Sequence, residues 1–179
     1  MDSYRTKFDL FQHQLDYVLS EDKHPFLIGG YGSGKTTGFC LFALRQCSLN
    51  AGKTILLAEP TYPMVRDVLQ PTFETVLREA GFSYDYTATS TKYRVYWQNG
   101  WCDVIMRSAE NYQRWAGLNL AAGGIDEADQ LRDDRAWKML LSRLRDGNTL
   151  TAFGSGTPEG FKFVYKYWGD NPKNGYKLI

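Results

Sequence analysis

The sequence has 179 residues, of which 43% are hydrophobic and 23% charged, and this composition excludes a disordered or collagen-like chain. The formal net charge is +1, so any contact with nucleic acid needs a local basic patch. The longest apolar runs, 39–44 and 54–58, are too short to span a bilayer, and no signal-peptide pattern follows Met1. We therefore expect a cytosolic protein.

Helix and strand patterns alternate along the chain, which favours an α/β fold with a parallel sheet. Residues 8–20 have helical apolar spacing at Phe11, Leu15, Val18 and Leu19. The expected elements that follow are a buried strand at 25–30, a helix at 35–50, a second buried strand at 53–60 and a long helix at 63–81. Pro71 is expected to kink or break that helix and Gly81 to cap its end.

The second half begins with alternation around Asn99-Gly100, which predicts a β-hairpin over residues 92–108. A strand over 120–129, a helix over 133–145, a strand over 149–158 and an aromatic helix near 160–168 follow. Residues 176–179 look like a strand that begins and stops, so we expect truncation at a domain boundary. Residues 1–179 are thus interpreted as one domain. Three cysteines, Cys40, Cys47 and Cys102, form no C-x-x-C pair and are expected to be buried thiols.

A glycine-rich segment between the first strand and the next helix carries the strongest chemical signal. It matches G-x-x-x-x-G-K-[ST], and its residues are Gly29, Gly30, Tyr31, Gly32, Ser33, Gly34, Lys35 and Thr36, with Thr37 next in the helix. Loop amides and the helix N-terminus favour phosphate groups. The motif assigns Lys35, expected to be an exposed loop lysine, to the β- and γ-phosphates of a nucleoside triphosphate, and the Thr36 hydroxyl to Mg²⁺.

An acidic pair, Asp126-Glu127, follows a small apolar strand in the run LNLAAGGIDEADQL. Asp126 is placed to hold the magnesium shell, and Glu127 to polarise the attacking water. The alternative is a solvated, acidic start to the next helix.

These features resemble the N-terminal ATPase domain of bacteriophage large terminase subunits, the motors that package DNA into proheads. The resemblance rests on LFQHQ before the glycine loop, GGYGSGKTT, GLNLAAGGIDEAD and FGSGTPEG, and it covers nearly the whole chain. It implies a P-loop NTPase fold of the additional-strand, catalytic-glutamate (RecA-like) type, flanked by helices and carrying the hairpin as an insertion.

The same resemblance implies ATP and Mg²⁺ as cofactors and double-stranded DNA, a portal protein and a small terminase subunit as partners. It also implies a homo-oligomeric ring, expected to be a pentamer, on a procapsid in the bacterial host cytoplasm, with no membrane contact and a monomer in isolation. A nuclease domain is expected in the full protein and outside residues 1–179.

Further residue roles follow from the resemblance. Gln14 would contact adenine, with Gln12 as the competing choice, and Thr157 would lie beside the γ-phosphate and sense hydrolysis. Many large terminases carry an arginine inside the glycine loop, where this sequence has Tyr31. The departure predicts a finger supplied in trans by Arg114, with Arg143 and Arg145 as alternatives.

Two other functions remain open from the sequence. DEAD at 126–129 with an upstream glutamine also resembles the first RecA-like domain of a DEAD-box helicase, and a binding module without turnover is the second alternative. Lys92 and Arg94 among aromatic residues of the hairpin are compatible with DNA contact, although their alternation is also that of a half-buried strand.

Overall fold

The computed structural model describes residues 8–160, 162–170 and 172–179. Its eight strands are β1 His24–Ile28, β2 Thr54–Glu59, β3 Ser83–Thr87, β4 Lys92–Trp97, β5 Gly100–Ser108, β6 Ala122–Ile125, β7 Thr151–Gly156 and β8 Tyr176–Leu178. The α-helices are α1 Gln12–Leu19, α2 Lys35–Leu49, α3 Tyr62–Met64, α4 Gln70–Glu79 and α5 Arg135–Arg143. Shorter 3₁₀ and π turns include Ala109–Trp115 and Tyr165–Gly169.

All eight strands form one sheet in the order β3-β4-β5-β2-β6-β7-β1-β8. The six strands from β5 to β8 in this order are mutually parallel, whereas β4 pairs antiparallel with both β5 and β3. The expected α/β fold, hairpin and last short strand are confirmed, and β3 is a strand that the sequence pattern did not indicate. Because the carboxyl ends of parallel strands meet at one edge, the loops after β1, β2, β6 and β7 lie together.

Helix α2 packs closely on one face of the sheet. Phe39 and Phe42 of α2 contact Phe153 of β7, with ring centroids 5.0 and 4.9 Å apart. A Cβ atom at Gly124 of β6 would lie 2.4 Å from the Phe153 ring. Because Gly124 has no side chain, these aromatic rings can reach the sheet, and their contact sets the distance between α2 and the sheet.

The interpretation of residues 8–20 as a helix is confirmed, and most of the apolar residues that gave its spacing lie outside its buried face. Phe11, Leu15 and Leu19 are 63%, 39% and 60% exposed, and the buried residues are Gln14 and Tyr17. The Tyr17 hydroxyl donates to the Gly154 carbonyl at 2.9 Å. Polar anchors to the loop after β1 and to β7 thus decide which face of α1 points inward, and the apolar spacing does not.

The sequence predicts a kink or break at Pro71, and the structure shows an irregular helix without a break, because helical turns continue from Tyr62 to Glu79. A π turn, Val65–Leu69, separates α3 from α4 directly before Pro71. Gly81 has φ of 72°, and the Phe82 amide donates to the Leu77 carbonyl at 3.0 Å, which closes the helix end. The three cysteines are buried and free, as expected. Leaving aside residues 1–7, 161 and 171, no helix is long and apolar enough to cross a membrane.

Candidate active site

The loop between β1 and α2 has the backbone conformation that its glycines permit. Gly32 and Gly34 have φ of 74° and 76°, in the left-handed region that glycine adopts readily. A Cβ atom at Gly34 would lie 2.4 Å from the Gln14 amide nitrogen, so this position also needs glycine for space. Because α2 begins at Lys35, the free amides of its first turn face the loop and suit a phosphate group.

Lys35 is held inside this loop. Its ammonium group donates to the Gly30 carbonyl at 3.0 Å and lies 3.6 Å from Glu127 Oε1. The residue is only 5% exposed, so the expectation of an exposed loop lysine is wrong. The cause is the adjacent acidic strand end, which draws the cation inward. Tyr31 is 83% exposed, with its ring centroid 6.0 Å from the Lys35 ammonium.

Gln14 joins α1 to the glycine loop. Its amide nitrogen donates to the Gly34 carbonyl at 2.8 Å, and its amide oxygen accepts from the Phe11 backbone at 2.9 Å. Gln12 instead donates to Asp16 on the exposed side of the helix. Of the two glutamines, Gln14 lies against the loop, and its contact with adenine stays a prediction.

Asp126 is the residue after β6, and the strand register places it between β2 and β7. It is fully buried. Its Oδ1 accepts hydrogen bonds from the Ser155 hydroxyl and from the Glu127 amide, the latter at 3.0 Å. Its Oδ2 is buried and has no hydrogen-bond partner among the described residues. A solvated helix start does not fit a carboxyl group so enclosed, and Ser155 is a site residue that the sequence interpretation missed.

Glu127 adopts a strained backbone conformation. Its φ of 46° and ψ of 39° lie in the left-handed region, which costs a non-glycine residue about 1–2 kcal/mol. Its Oε1 faces Lys35, and its Oε2 is buried without a partner in the described part of the chain. Strain of this kind is kept where the position of a side chain matters.

A second buried acid, Glu59, lies at the carboxyl end of β2, where the register sets it beside Asp126. Burial, and then the neighbouring Asp126 and Glu127, raise the pKa of Glu59 to about 10. The side chain is therefore neutral at pH 7. The sequence analysis missed this residue, although a glutamate that closes an apolar strand was the available signal.

Thr157 and Asp129 occupy the next part of the same edge. The Thr157 hydroxyl is buried without a partner in the described residues, and Asp129 Oδ2 is likewise unpaired. Burial raises the pKa of Asp129 to about 6, against the opposing charge of Lys162. The Lys162 ammonium donates to the Asp129 carbonyl at 2.8 Å, so the segment after β7 is tied to the segment after β6.

The unpaired atoms define what the site can hold. Among the described residues, every buried side-chain N or O atom without a partner, except Trp115 Nε1, lies at this edge of the sheet. Carboxylate and hydroxyl oxygens are the ligands that Mg²⁺ prefers. Asp126 Oδ2, with Thr36 in the first turn of α2, therefore fits Mg²⁺, and the loop amides with Lys35 fit the phosphates of a nucleotide.

The three candidate arginine fingers lie in different places. Arg143 and Arg145 donate to the carbonyls of Ala116 and Leu118, near the amino end of β6. Asp126 follows the opposite end of that strand, so both guanidinium groups are remote from the acidic pair. Arg114 is exposed, and no hydrogen bond within the described residues uses its side chain.

The hairpin has the alternation expected of a half-buried strand. Tyr93 and Val95 are fully buried. On the other face Arg94 pairs with Asp103 at 2.8 Å and Lys92 lies 3.4 Å from the same carboxylate, so part of the basic charge is neutralised. Arg94 also lies 4.3 Å from the centroid of the Trp101 ring.

A strand, a glycine loop and a helix that form an anion cradle, beside an acidic residue at the end of a parallel strand, define the class of P-loop NTPases. A sequence model of the family "Terminase large subunit, T4likevirus-type, N-terminal" matches residues 26–176. The chain belongs to this family, which confirms the resemblance seen in the sequence.

Individual proteins similar to this chain are also phage large terminases. The PBSX phage terminase large subunit of Bacillus subtilis (strain 168) is 26% identical over 135 residues, which are 74% of this chain and 30% of that protein. The large terminase ATPase domain of Thermus phage P74-26 has a TM-score of 0.77 at 18% identity, over 96% of this chain and 80% of that chain.

The large terminase of another thermophilic bacteriophage, called the thermophilic-phage terminase below, has a TM-score of 0.78 at 13% identity, over 89% of this chain and 41% of that one. It was also solved in complex with ATP-gamma-S, with a TM-score of 0.72 at 15% identity, over 87% of this chain and 39% of that one. These likenesses show the RecA-like P-loop fold. The chain spans less than half the length of the PBSX protein and of the thermophilic-phage terminase.

Proposed function

We propose that this chain is the ATPase motor domain of a phage large terminase, which hydrolyses ATP with Mg²⁺ and drives double-stranded DNA into a procapsid. The observation that carries the proposal is the meeting of Lys35, Asp126 and Glu127 at one sheet edge, with unpaired buried oxygens on both acids. Family membership supports it, and the thermophilic-phage terminase was solved with a nucleotide analogue.

Each site residue then has a distinct task. The amides of residues 29–37 and the Lys35 ammonium bind the phosphates, for which Lys35 leaves its present contacts with Gly30 and Glu127. Thr36 and Asp126 would hold Mg²⁺, which would supply positive charge against the phosphates. Glu127, freed from the lysine, accepts a proton from the attacking water.

Ser155 holds Asp126 in place. The Ser155 hydroxyl bonds to Asp126 Oδ1, which leaves Oδ2 to face the metal. Thr157, two residues later, senses the γ-phosphate in this proposal. The bonds of Gln14 to the loop place α1 next to the nucleotide, where its amide is proposed to reach adenine.

The decisive experiment is phosphate release and ATP binding by Glu127→Gln. The change keeps the size of the side chain and removes the proton acceptor, so hydrolysis should slow by about 10²–10⁴-fold while ATP still binds. Glu79→Gln, at the exposed end of α4, is the matched control and should leave the rate unchanged. Equal rates for both variants would contradict the proposal, and absence of turnover by the unaltered chain would favour a binding module.

We further propose that Arg114 completes a neighbouring subunit's site within a homo-oligomeric, pentameric ring docked on a portal with the small subunit. Within the described residues Arg114 makes no side-chain hydrogen bond, whereas Arg143 and Arg145 are used on loop carbonyls. An arginine finger contributes roughly 10³–10⁵ in rate, so the isolated domain should be a weak ATPase. Mixed assemblies of Arg114→Ala and Lys35→Ala subunits should recover activity that neither has alone. Full activity of Arg114→Ala assemblies would exclude this role.

The domain organisation of the full protein stays a prediction: residues 1–179 form the ATPase domain, and a nuclease domain lies elsewhere. No feature of the described residues favours the helicase alternative over the family match.

A further inference from the structure

A small pocket at the carboxyl end of β5 lies outside the nucleotide site. It has a volume of about 230 Å³, and its lining includes Tyr62, Arg107, Ser108, Asn111, Arg114 and Trp115. Strands β2, β6 and β7 separate β5 from β1, which amounts to roughly 19 Å at the usual strand spacing. Lys35, Asp126 and Glu127 of the nucleotide site do not line this pocket.

The pocket is positively charged without compensation. Arg107 and Arg114 both line it, no carboxylate of the described residues lines it, and neither arginine forms an ion pair within that part of the chain. Arg107 is half-buried, and burial lowers the pKa of its guanidinium group with no neighbouring anion to oppose the effect. A cation that has lost solvent and gained no anionic partner is costly unless an anion binds there.

The Arg107 side chain is also held in a fixed position. Its Nη1 donates to the Ser90 carbonyl at 2.6 Å and to the Met106 carbonyl at 2.8 Å. The remaining guanidinium nitrogens make no hydrogen bond within the described residues. A guanidinium group fixed on one side presents its other donors with little loss of side-chain entropy, as two-point recognition of a phosphate requires.

Trp115, which also lines the pocket, has an unpaired polar atom. Trp115 is 1% exposed, and its indole Nε1 is buried without a hydrogen-bond partner in the described part of the chain. Over residues 8–160, 162–170 and 172–179 it is the one unpaired buried side-chain atom that lies away from the nucleotide site. Asn111 at the same pocket uses its amide on the Ser108 hydroxyl at 3.2 Å.

We propose that this pocket binds a single phosphate group of the DNA backbone, an inference that rests on the proposed function. Its volume is below the ~300–1,000 Å³ of sites that enclose a whole small molecule, so it suits a phosphate attached to a larger ligand outside. Arginine, asparagine and tyrosine are side chains that commonly contact DNA phosphates. The arginines here have no ion pair within the described residues, whereas Lys92 and Arg94 of the hairpin both pair with Asp103.

The test is binding of a fluorescein-labelled DNA duplex, without nucleotide, at several salt concentrations. Arg107→Gln should weaken binding about tenfold and reduce the slope of log affinity against log salt by about 1. Arg78→Gln is the matched control, since Arg78 likewise has no ion pair within the described residues but lies at the far end of α4, and it should change affinity less than about twofold. Equal effects of the two changes, or no binding by the unaltered chain at low salt, would overturn the proposal.

A second readout protects against a folding defect in Arg107→Gln. The indole N–H resonance of Trp115, assigned with Trp115→Phe, should shift on addition of duplex DNA and of inorganic phosphate. Asn111→Ala, at an exposed residue, should weaken DNA binding without loss of stability. A shift with inorganic phosphate alone, or with ATP and not with DNA, would reject a DNA phosphate as the ligand.

This inference and the proposed function fail in different ways. Basal phosphate release without DNA should be unchanged in Arg107→Gln, because the Arg107 side chain bonds to the Ser90 and Met106 carbonyls and contacts neither member of the acidic pair. Arg114 is avoided as the test residue, since it is also the candidate finger.

Discussion

His24 gives a prediction whose size follows from its surroundings. The imidazole is 7% exposed, lies 4.4 Å from the Tyr176 ring centroid and contacts the Ala152 carbonyl at 3.4 Å. Trp137 approaches it edge-on at 6.1 Å. Burial lowers the pKa of His24 from 6.5 to about 4, although the Ala152 carbonyl opposes the change. The folded protein therefore keeps this histidine neutral, and the unfolded chain protonates it near pH 6.5.

The sign of the pH effect follows directly. A folded-state pKa below the unfolded value means that stability is fully present above pH 6.5 and is lost as the pH falls towards 4. Between pH 7.5 and pH 5 the loss is up to about 2 kcal/mol, from about 1.4 kcal/mol per pH unit. For a domain of this size that corresponds to a melting temperature lower by roughly 4–8 °C.

The assay is urea unfolding of the unaltered chain, His24→Phe and His13→Gln at pH 7.5 and pH 5. The free energy of unfolding that is lost between pH 7.5 and pH 5 should be smaller in His24→Phe by up to about 2 kcal/mol, because phenylalanine does not titrate. The change at His13, the only other histidine in the sequence, should leave the loss unaltered. The same pH dependence in all three proteins would refute the burial argument for His24.

Three further changes test the site. Lys35→Ala should abolish ATP turnover, and because Lys35 is buried we also expect a stability cost of about 1 kcal/mol in a melting experiment; undiminished turnover would remove it from the site. Ser155→Ala should cost about 1.5–3 kcal/mol, since it strips a hydrogen bond from a buried carboxylate, and should weaken Mg²⁺-dependent ATP binding; a stability loss with unchanged metal dependence would make it purely structural. Gln14→Ala should lower the free energy of unfolding by about 1–2 kcal/mol, because the hydrogen bonds to Gly34 and Phe11 are lost. In competition binding, a reduced preference for ATP over GTP would support contact between Gln14 and adenine. An unchanged preference would contradict that contact.

Local patterns in the sequence were sufficient for the elements of the fold. Glycines before Lys35, the asparagine-glycine pair at 99–100 and Pro71 each restrict the backbone through their own dihedral angles. The loop, the hairpin and the irregular turn in the long helix were therefore predictable. The parallel α/β class and the confirmed family resemblance follow from such signals combined along the chain.

The tertiary structure decided which side chains are buried and which of them meet at the candidate site. Leu15 belongs to the apolar spacing of α1, yet it is partly exposed, because Gln14 and Tyr17 bond to distant backbone and face inward instead. Glu59 and Ser155 became site residues only because parallel pairing places the ends of β2, β6 and β7 side by side, across residues about 30–100 positions apart. The spacing of residues in a single sequence does not indicate such long-range pairing. The neutral state of Glu59 and the lack of an ion pair at Arg107 depend on burial by the surrounding strands, so the sequence alone does not predict them.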